Sequence, residues 1–289
     1  MDGGNNMQRS RQFGLVGLAI ILLVGLSACA PRKVSHQYVQ SSAPTLFFHG
    51  GGSSYHAEEH MVNAAKEAGA TNTVVRAMVA KNGRVKLVGQ IKKGAVNPIV
   101  EVNYANNAEL DFNKHGQWAK NVVVALQKQY HFTSFNMVGH SLGNISLIYY
   151  SLQNSQNKRL PKLRKQVDIA GHFAGLNFKG VPASVRQPAG LKLAADGKPN
   201  HMNATYRQMT KLRRVLPKDQ VAVLNLYGNI GGHTDGTVPN VASLSLKYLV
   251  APRAKSYREQ EFTGKLARHS KLHENPRVDR ALIKFLWEK

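Results

Sequence analysis

Apolar and polar positions follow two periods along this chain, and the switches between them mark its elements. Thr45 to Phe48 is a short apolar, β-rich run. His56 to Ala68 has helical composition and ends at Gly69. Val74 to Val79 and Val85 to Ile91 alternate around Asn82-Gly83, which predicts a hairpin. Ile99 to Tyr104 predicts a strand, and Trp118 to Tyr130 a helix with Trp118, Val122, Ala125, Leu126 and Tyr130 near one face. Phe135 to Val138 then reads as a strand and Gly143 to Leu152 as a helix. Gln166 to Ala170 and Val221 to Tyr227 have the composition of buried strands. Pro239 to Leu249 predicts a helix, Ser256 to Phe262 a strand, and Arg277 to Trp287 a closing helix.

Strands alternating with helices predict an α/β fold, with a mostly parallel central sheet and helices on both faces. Between Gly171 and Pro217 the alternation lapses into Gly, Pro and basic residues. That stretch predicts a cap or lid-like insertion within one domain spanning 44–289. No internal repeat is visible. A hydrophobic content of 43% in 289 residues supplies a sizeable core and excludes a disordered chain.

The start of the chain changes the picture. Arg9 and Arg11 precede an apolar run from Phe13 to Leu26, and Leu26-Ser27-Ala28 place small residues before Cys29. A basic start, an apolar stretch and small residues are the parts of a secretory signal, here 1–28. The run is short for a transmembrane helix, which needs about 20 residues. Cys29 is the only cysteine, so no intramolecular disulfide is possible. Leu-Ser-Ala-Cys resembles the lipobox of bacterial lipoproteins, which implies a lipid on Cys29 and a body on the extracellular face of the cell membrane. Residues 29–43, polar and aperiodic from Pro31, are expected to be a tether.

Charge adds a partner class. There are 39 Lys and Arg against 16 Asp and Glu, a formal net charge of +23. The basic residues are spread along the chain, without zinc-finger spacing, an RNA-recognition signature or aromatic-basic interleaving, which argues against nucleic acid. An anionic membrane or cell-wall surface is the expected partner instead.

The chemistry centres on Gly139-His140-Ser141-Leu142-Gly143, a G-x-S-x-G sequence between an apolar strand and a helix. This is the setting of a nucleophile elbow, whose turn is too sharp for side chains at the flanking positions. A serine hydroxyl needs a base and an acid to activate it. After the Val221–Tyr227 run, Asp235 is the only carboxylate in the loop Gly231 to Pro239. Asp168 sits inside a strand run, Asp219 before one, and Asp279 in the last helix. After the last strand, His269 and His273 both stand in the loop leading to Pro276, and the elbow does not choose between them. His49-Gly50-Gly51-Gly52 follows the first central strand and matches an HGGG-type loop that supplies one oxyanion N–H, with Leu142 supplying the other. The Lys-Ser/Thr pair of a phosphate-binding P-loop is missing from it. His56-Ala57-Glu58-Glu59-His60 fits the H-x-x-E-H pattern of inverted zinc peptidases, but a further downstream acidic ligand is needed, acids are few in the chain, and this spacing arises easily among 12 histidines. The expectation is therefore no metal and no cofactor.

Together these residues resemble the α/β-hydrolase superfamily, most closely the secreted and cell-surface hydrolases of Gram-positive bacteria, over roughly Thr45 to Trp287. The resemblance implies the α/β-hydrolase fold. It also implies that the base lies seven residues before the helix-opening proline, which selects His269 over His273, and that Gly51 is the first oxyanion donor. It further implies a serine hydrolase of carboxylesterase or lipase type, acting on a small acyl ester or lipid through Ser141, His269 and Asp235. The same constellation serves amidases and acyltransferases, and a binding lipoprotein on a hydrolase scaffold is the non-enzymatic alternative.

Overall fold

The computed structural model describes Met1 and residues 34–289, so residues 2–28 of the expected signal segment and Cys29 lie outside the described residues. Eight strands form one sheet: β1 (Thr45–Phe48), β2 (Val74–Val79), β3 (Val85–Val88), β4 (Ile99–Tyr104), β5 (Ser134–His140), β6 (Lys162–Ile169), β7 (Ala222–Asn229) and β8 (Ser256–Thr263). Their order is β3-β2-β4-β1-β5-β6-β7-β8. The pairs are parallel except β2–β3, the expected hairpin, where Gly83 takes a φ of 82°.

Helices cover both faces. On one face α2 (Phe112–Tyr130) and α3 (Gly143–Asn154) bury Trp118, Val122, Ile148 and Tyr149 against Leu46, Phe48 and Met137. On the other, α1 (Glu59–Glu67) and α8 (Pro276–Trp287) bury Met61, Leu282 and Trp287 against Phe47, Val138 and Val167. Adjacent residues of β1 and β5 thus serve opposite faces, which is why these strands read as continuous apolar runs. Residues 32–289 form one compact unit with its own core. At the edge, β8 is largely exposed and charged, a composition that discourages pairing with another chain.

Several expectations are corrected. The helix expected from Trp118 begins at Phe112, because Asp111 caps it by accepting from the Asn113 N–H at 3.1 Å. Gly116, which weakens the helical pattern, sits where α2 meets α3; a Cβ there would lie 2.7 Å from the Tyr149 carbonyl. The helix expected over Pro239 to Leu249 divides at Ser245 into α6 (Asn240–Leu244) and α7 (Leu246–Val250). The insertion 171–217 holds two short helices, α4 (Ala204–Met209) and α5 (Leu212–Val215). Its Phe173, Val185, Tyr206 and Met209 join the α2–α3 core instead of building a separate one.

Residues 34–43, expected within the tether, are docked on the body. Ser35 N–H donates to the Gly69 carbonyl at 2.9 Å and Val39 N–H to the Trp287 carbonyl at 2.7 Å, while Tyr38 is buried in the α1–α8 core. Backbone hydrogen bonding, which side-chain polarity does not report, holds the segment down.

One buried group predicts a pH effect. Glu58, ahead of α1, is fully buried, and neither carboxyl oxygen has a hydrogen-bond partner among the described residues. Burial, with the nearby Glu101 carboxylate second, pushes its pKa from 4.5 up to about 8. The folded state therefore holds this proton more tightly than the unfolded chain. The stability it confers is complete below about pH 4.5 and is lost as pH rises through about 8. Glu58→Gln should raise Tm at pH 8.5 by at least about 3 °C and by much less at pH 5. Thermal melts at the two pH values check this; an equal shift at both would assign the effect to packing.

Candidate active site

The elbow is built by steric exclusion. Ser141 takes a φ of 51°, a left-handed conformation that non-glycine residues seldom adopt. A Cβ on Gly139 would stand 2.8 Å from the Asn144 nitrogen, and one on Gly143 would stand 2.0 Å from the Phe48 carbonyl oxygen. Both glycines are thus required for α3 to start against β1. Ser141 N–H donates to the Ile169 carbonyl at 2.9 Å, tying the turn to the end of β6. Asn144 strengthens that tie: its amide donates to the Ser141 carbonyl at 2.9 Å and the Ile169 carbonyl at 2.8 Å. Sequence reasoning overlooks Asn144, whose one signal is an amide in the first turn of an apolar helix.

The structure brings Ser141, His269 and Asp235 together. Ser141 hydroxyl donates to His269 Nε2 at 2.8 Å, and His269 Nδ1–H donates to Asp235 Oδ2 at 2.7 Å. The carboxylate holds the Nδ1 proton, which leaves Nε2 bare toward the serine. Asp235 itself is only 3% exposed and accepts two backbone N–H groups at Oδ1, from Thr237 at 2.8 Å and Val238 at 2.6 Å. Its carbonyl also accepts from the His269 N–H at 3.0 Å, so backbone and side chain join the two loops. Gly236, with a φ of 92°, makes the turn that lets the Asp235 side chain receive both donors.

The His-Gly-Gly-Gly loop lies beside the serine. A Cβ on Gly50 would meet Ser141 Cβ at 3.2 Å, and one on Gly51 would meet the Leu142 side chain at 3.2 Å. His49 shapes this loop from below. Its Nε2 accepts from the Tyr104 N–H at 3.1 Å, and its Nδ1–H donates to the Gly50 carbonyl at 2.8 Å. Burial lowers the His49 pKa, so the neutral ring holds both contacts. The N–H groups of Gly51 and Leu142 have no backbone acceptor among the described residues. Leu142 stands at the start of α3, where orphan N–H groups and the helix dipole favour negative charge.

Two further histidines lie beside His269. His140, the first variable residue of the elbow, is buried, and its Nε2–H donates to the His269 carbonyl at 3.0 Å. Burial, with His269 second, holds its pKa well below the usual imidazole range. His273 packs its ring edge-on against His140 at 4.7 Å between centroids, and its Nδ1 is buried without a partner among the described residues. The last helix is capped by Asn275, which accepts from the Arg277 N–H at 2.9 Å. Across the site, His172 is buried and its pKa is pushed down to about 4, chiefly by burial.

The H-x-x-E-H residues do not converge. His56 Nδ1 pairs with Glu59 at 3.0 Å, whereas His60 Nδ1 pairs with Asp279 on α8 at 3.2 Å. Adjacent helical turns aim the two imidazoles at separate carboxylates.

Comparison with known proteins agrees with this architecture. A gene product of Listeria innocua is 26% identical, with a TM-score of 0.74 over 85% of this chain and 94% of its own. A candidate cell surface hydrolase from Lactobacillus plantarum is 20% identical, with a TM-score of 0.65 over 89% of this chain and 91% of its own. Among curated proteins none matches. The family model described as alpha/beta hydrolase of unknown function (DUF915) matches residues 32–289. Sheet, elbow and match together place the chain in that family of α/β hydrolases.

Proposed function

We propose that this protein is an exported, lipid-anchored serine hydrolase that cleaves acyl esters through Ser141, His269 and Asp235. The observation that carries this reading is the pair of contacts at 2.8 Å and 2.7 Å joining the three side chains. His269 Nε2 takes the Ser141 proton as Oγ attacks the ester carbonyl carbon. The oxyanion is met by the Gly51 and Leu142 N–H groups, which are preorganised for the tetrahedral intermediate. His269 returns the proton to the leaving alcohol, and a water activated by the same imidazole then releases the acyl group. Asp235 keeps the ring oriented and stabilises its charged form.

A fluorophosphonate probe tests the reading, since it reacts covalently with an activated serine. Mass spectrometry should locate the adduct on Ser141; no labelling of the folded protein, or labelling elsewhere, would remove the proposal.

Anchoring is tested separately. Cys29→Ser should shift the protein out of the lipid-modified membrane fraction into uncleaved precursor or medium. Incorporation of a labelled fatty acid that persists in Cys29→Ser would contradict a lipid on that residue.

A further inference from the structure

We infer that the sheet edge opposite Ser141 docks onto an anionic lipid bilayer, leaving the Ser141 edge turned away from it. In a parallel sheet the strand starts share one edge, and Ser141 follows the end of β5 on the other. At about 3.3 Å per residue, the seven residues of β5 separate these edges by roughly 23 Å.

The strand-start edge carries a run of exposed cations. Lys92 and Lys93 precede β4, Lys158, Arg159 and Lys162 lead into β6, and Lys255 precedes β8. Hydrogen bonds tie the loops before β6, β7 and β8 together. Gln127, near the end of α2, donates to the Arg159 carbonyl at 3.0 Å. Gln220 donates to the Leu163 carbonyl at 3.2 Å, and Lys255 N–H donates to the Val221 carbonyl at 2.8 Å. Against these cations stand the exposed acids Glu67, Asp219 and Glu288.

A simpler cause explains some of the charge. Cations in the last turn of a helix complement its dipole, which accounts for Lys66, Lys128 and Lys284. It does not account for lysines in loops and at strand starts, where no helix ends.

The beginning of the body runs along this same edge. Asn97, two residues before β4, donates its N–H to the Ser41 carbonyl at 2.6 Å. Ser42 and Pro44 line a groove of about 340 Å³ with Lys92, Lys93 and His131. Val34 stands five residues after Cys29, so a lipid on Cys29 would lie within ~18 Å of it. Lipid phosphates supply the complementary charge, and each Lys or Arg near such a surface contributes roughly fivefold to partition. Three of them together contribute roughly a hundredfold. The orientation of Ser141 matters only under the proposed hydrolase function, and docking does not depend on that function. Substrate would then reach Ser141 from the aqueous side.

Residues 32–289, which carry their own core, can be cosedimented with vesicles of phosphatidylcholine alone or with about 30% phosphatidylglycerol. Binding is expected only to the anionic vesicles. Reversing Lys93, Lys158 and Lys162 to Glu should weaken it at least about a hundredfold, whereas reversing Lys81, Arg84 and Lys265 on the opposite edge should weaken it less than about fivefold. Both variants should cleave a soluble ester as the unchanged protein does, and vesicle binding should leave that rate within about twofold. Equal losses in the two variants would overturn the docking face. So would binding to teichoic acid or DNA without binding to the vesicles. Inhibition of soluble-ester cleavage on vesicles would overturn the orientation. If no ester is cleaved at all, the hydrolase reading fails while the cosedimentation result stands by itself.

Discussion

Ser141→Ala is expected to lower kcat for a short-chain acyl ester by roughly 10⁴-fold or more while the protein stays folded. In the proposed mechanism the hydroxyl oxygen is the atom that becomes acylated, so nothing else in the site replaces it. What remains would come from the Gly51 and Leu142 N–H groups, which polarise a bound carbonyl whether or not a nucleophile is present. Stability should change little. Among the described residues Ser141 Oγ bonds only to the His269 ring, and the φ of 51° strains alanine and serine alike. Steady-state kinetics alongside thermal melts separate these effects. A folded Ser141→Ala protein that keeps a tenth of its activity would sink the covalent mechanism.

His269→Ala is expected to lose roughly 10³-fold or more in kcat, and His273→Ala far less. His269 makes both contacts that a general base needs, one to the serine and one to the orienting carboxylate. His273 makes neither; its ring instead packs against His140, which in turn holds the His269 carbonyl. Its replacement should therefore act on stability and, through His140, on the placement of the base. Kinetics of the two folded variants give the ranking, and the reverse order would make His273 the base.

The legible parts of this protein share a cause. Gly139 and Gly143 announce the elbow because a Cβ at either position collides with atoms a few residues away or on the adjoining strand. Asn82-Gly83 announces the β2–β3 hairpin because the turn depends on its own backbone angles. Asp235 stands out as the only carboxylate in a short loop after a strand. Illegible parts depend on distant partners. The start of α2 lies hidden behind Gly116, whose missing side chain makes sense only once α3 packs against it. Asn144 looks like an ordinary helix residue until the end of β6 arrives beside it. Residues 34–43 look like a free tether because their attachment runs through backbone groups that every sequence possesses.

By itself the sequence determined the alternating α/β architecture, the elbow and the loops that hold its partners, since period, glycine sterics and chain order are local properties. Loop position by itself left two imidazoles, and the family resemblance favoured His269; the contact of that ring with Ser141 is made by the tertiary structure. His269 and His273 differ by four positions in one loop, and the choice turns on how that loop folds over a serine 128 residues earlier. The direction of a side chain across such a separation is set by packing and backbone hydrogen bonds, here Asp235 carbonyl to His269 N–H and His269 carbonyl to His140.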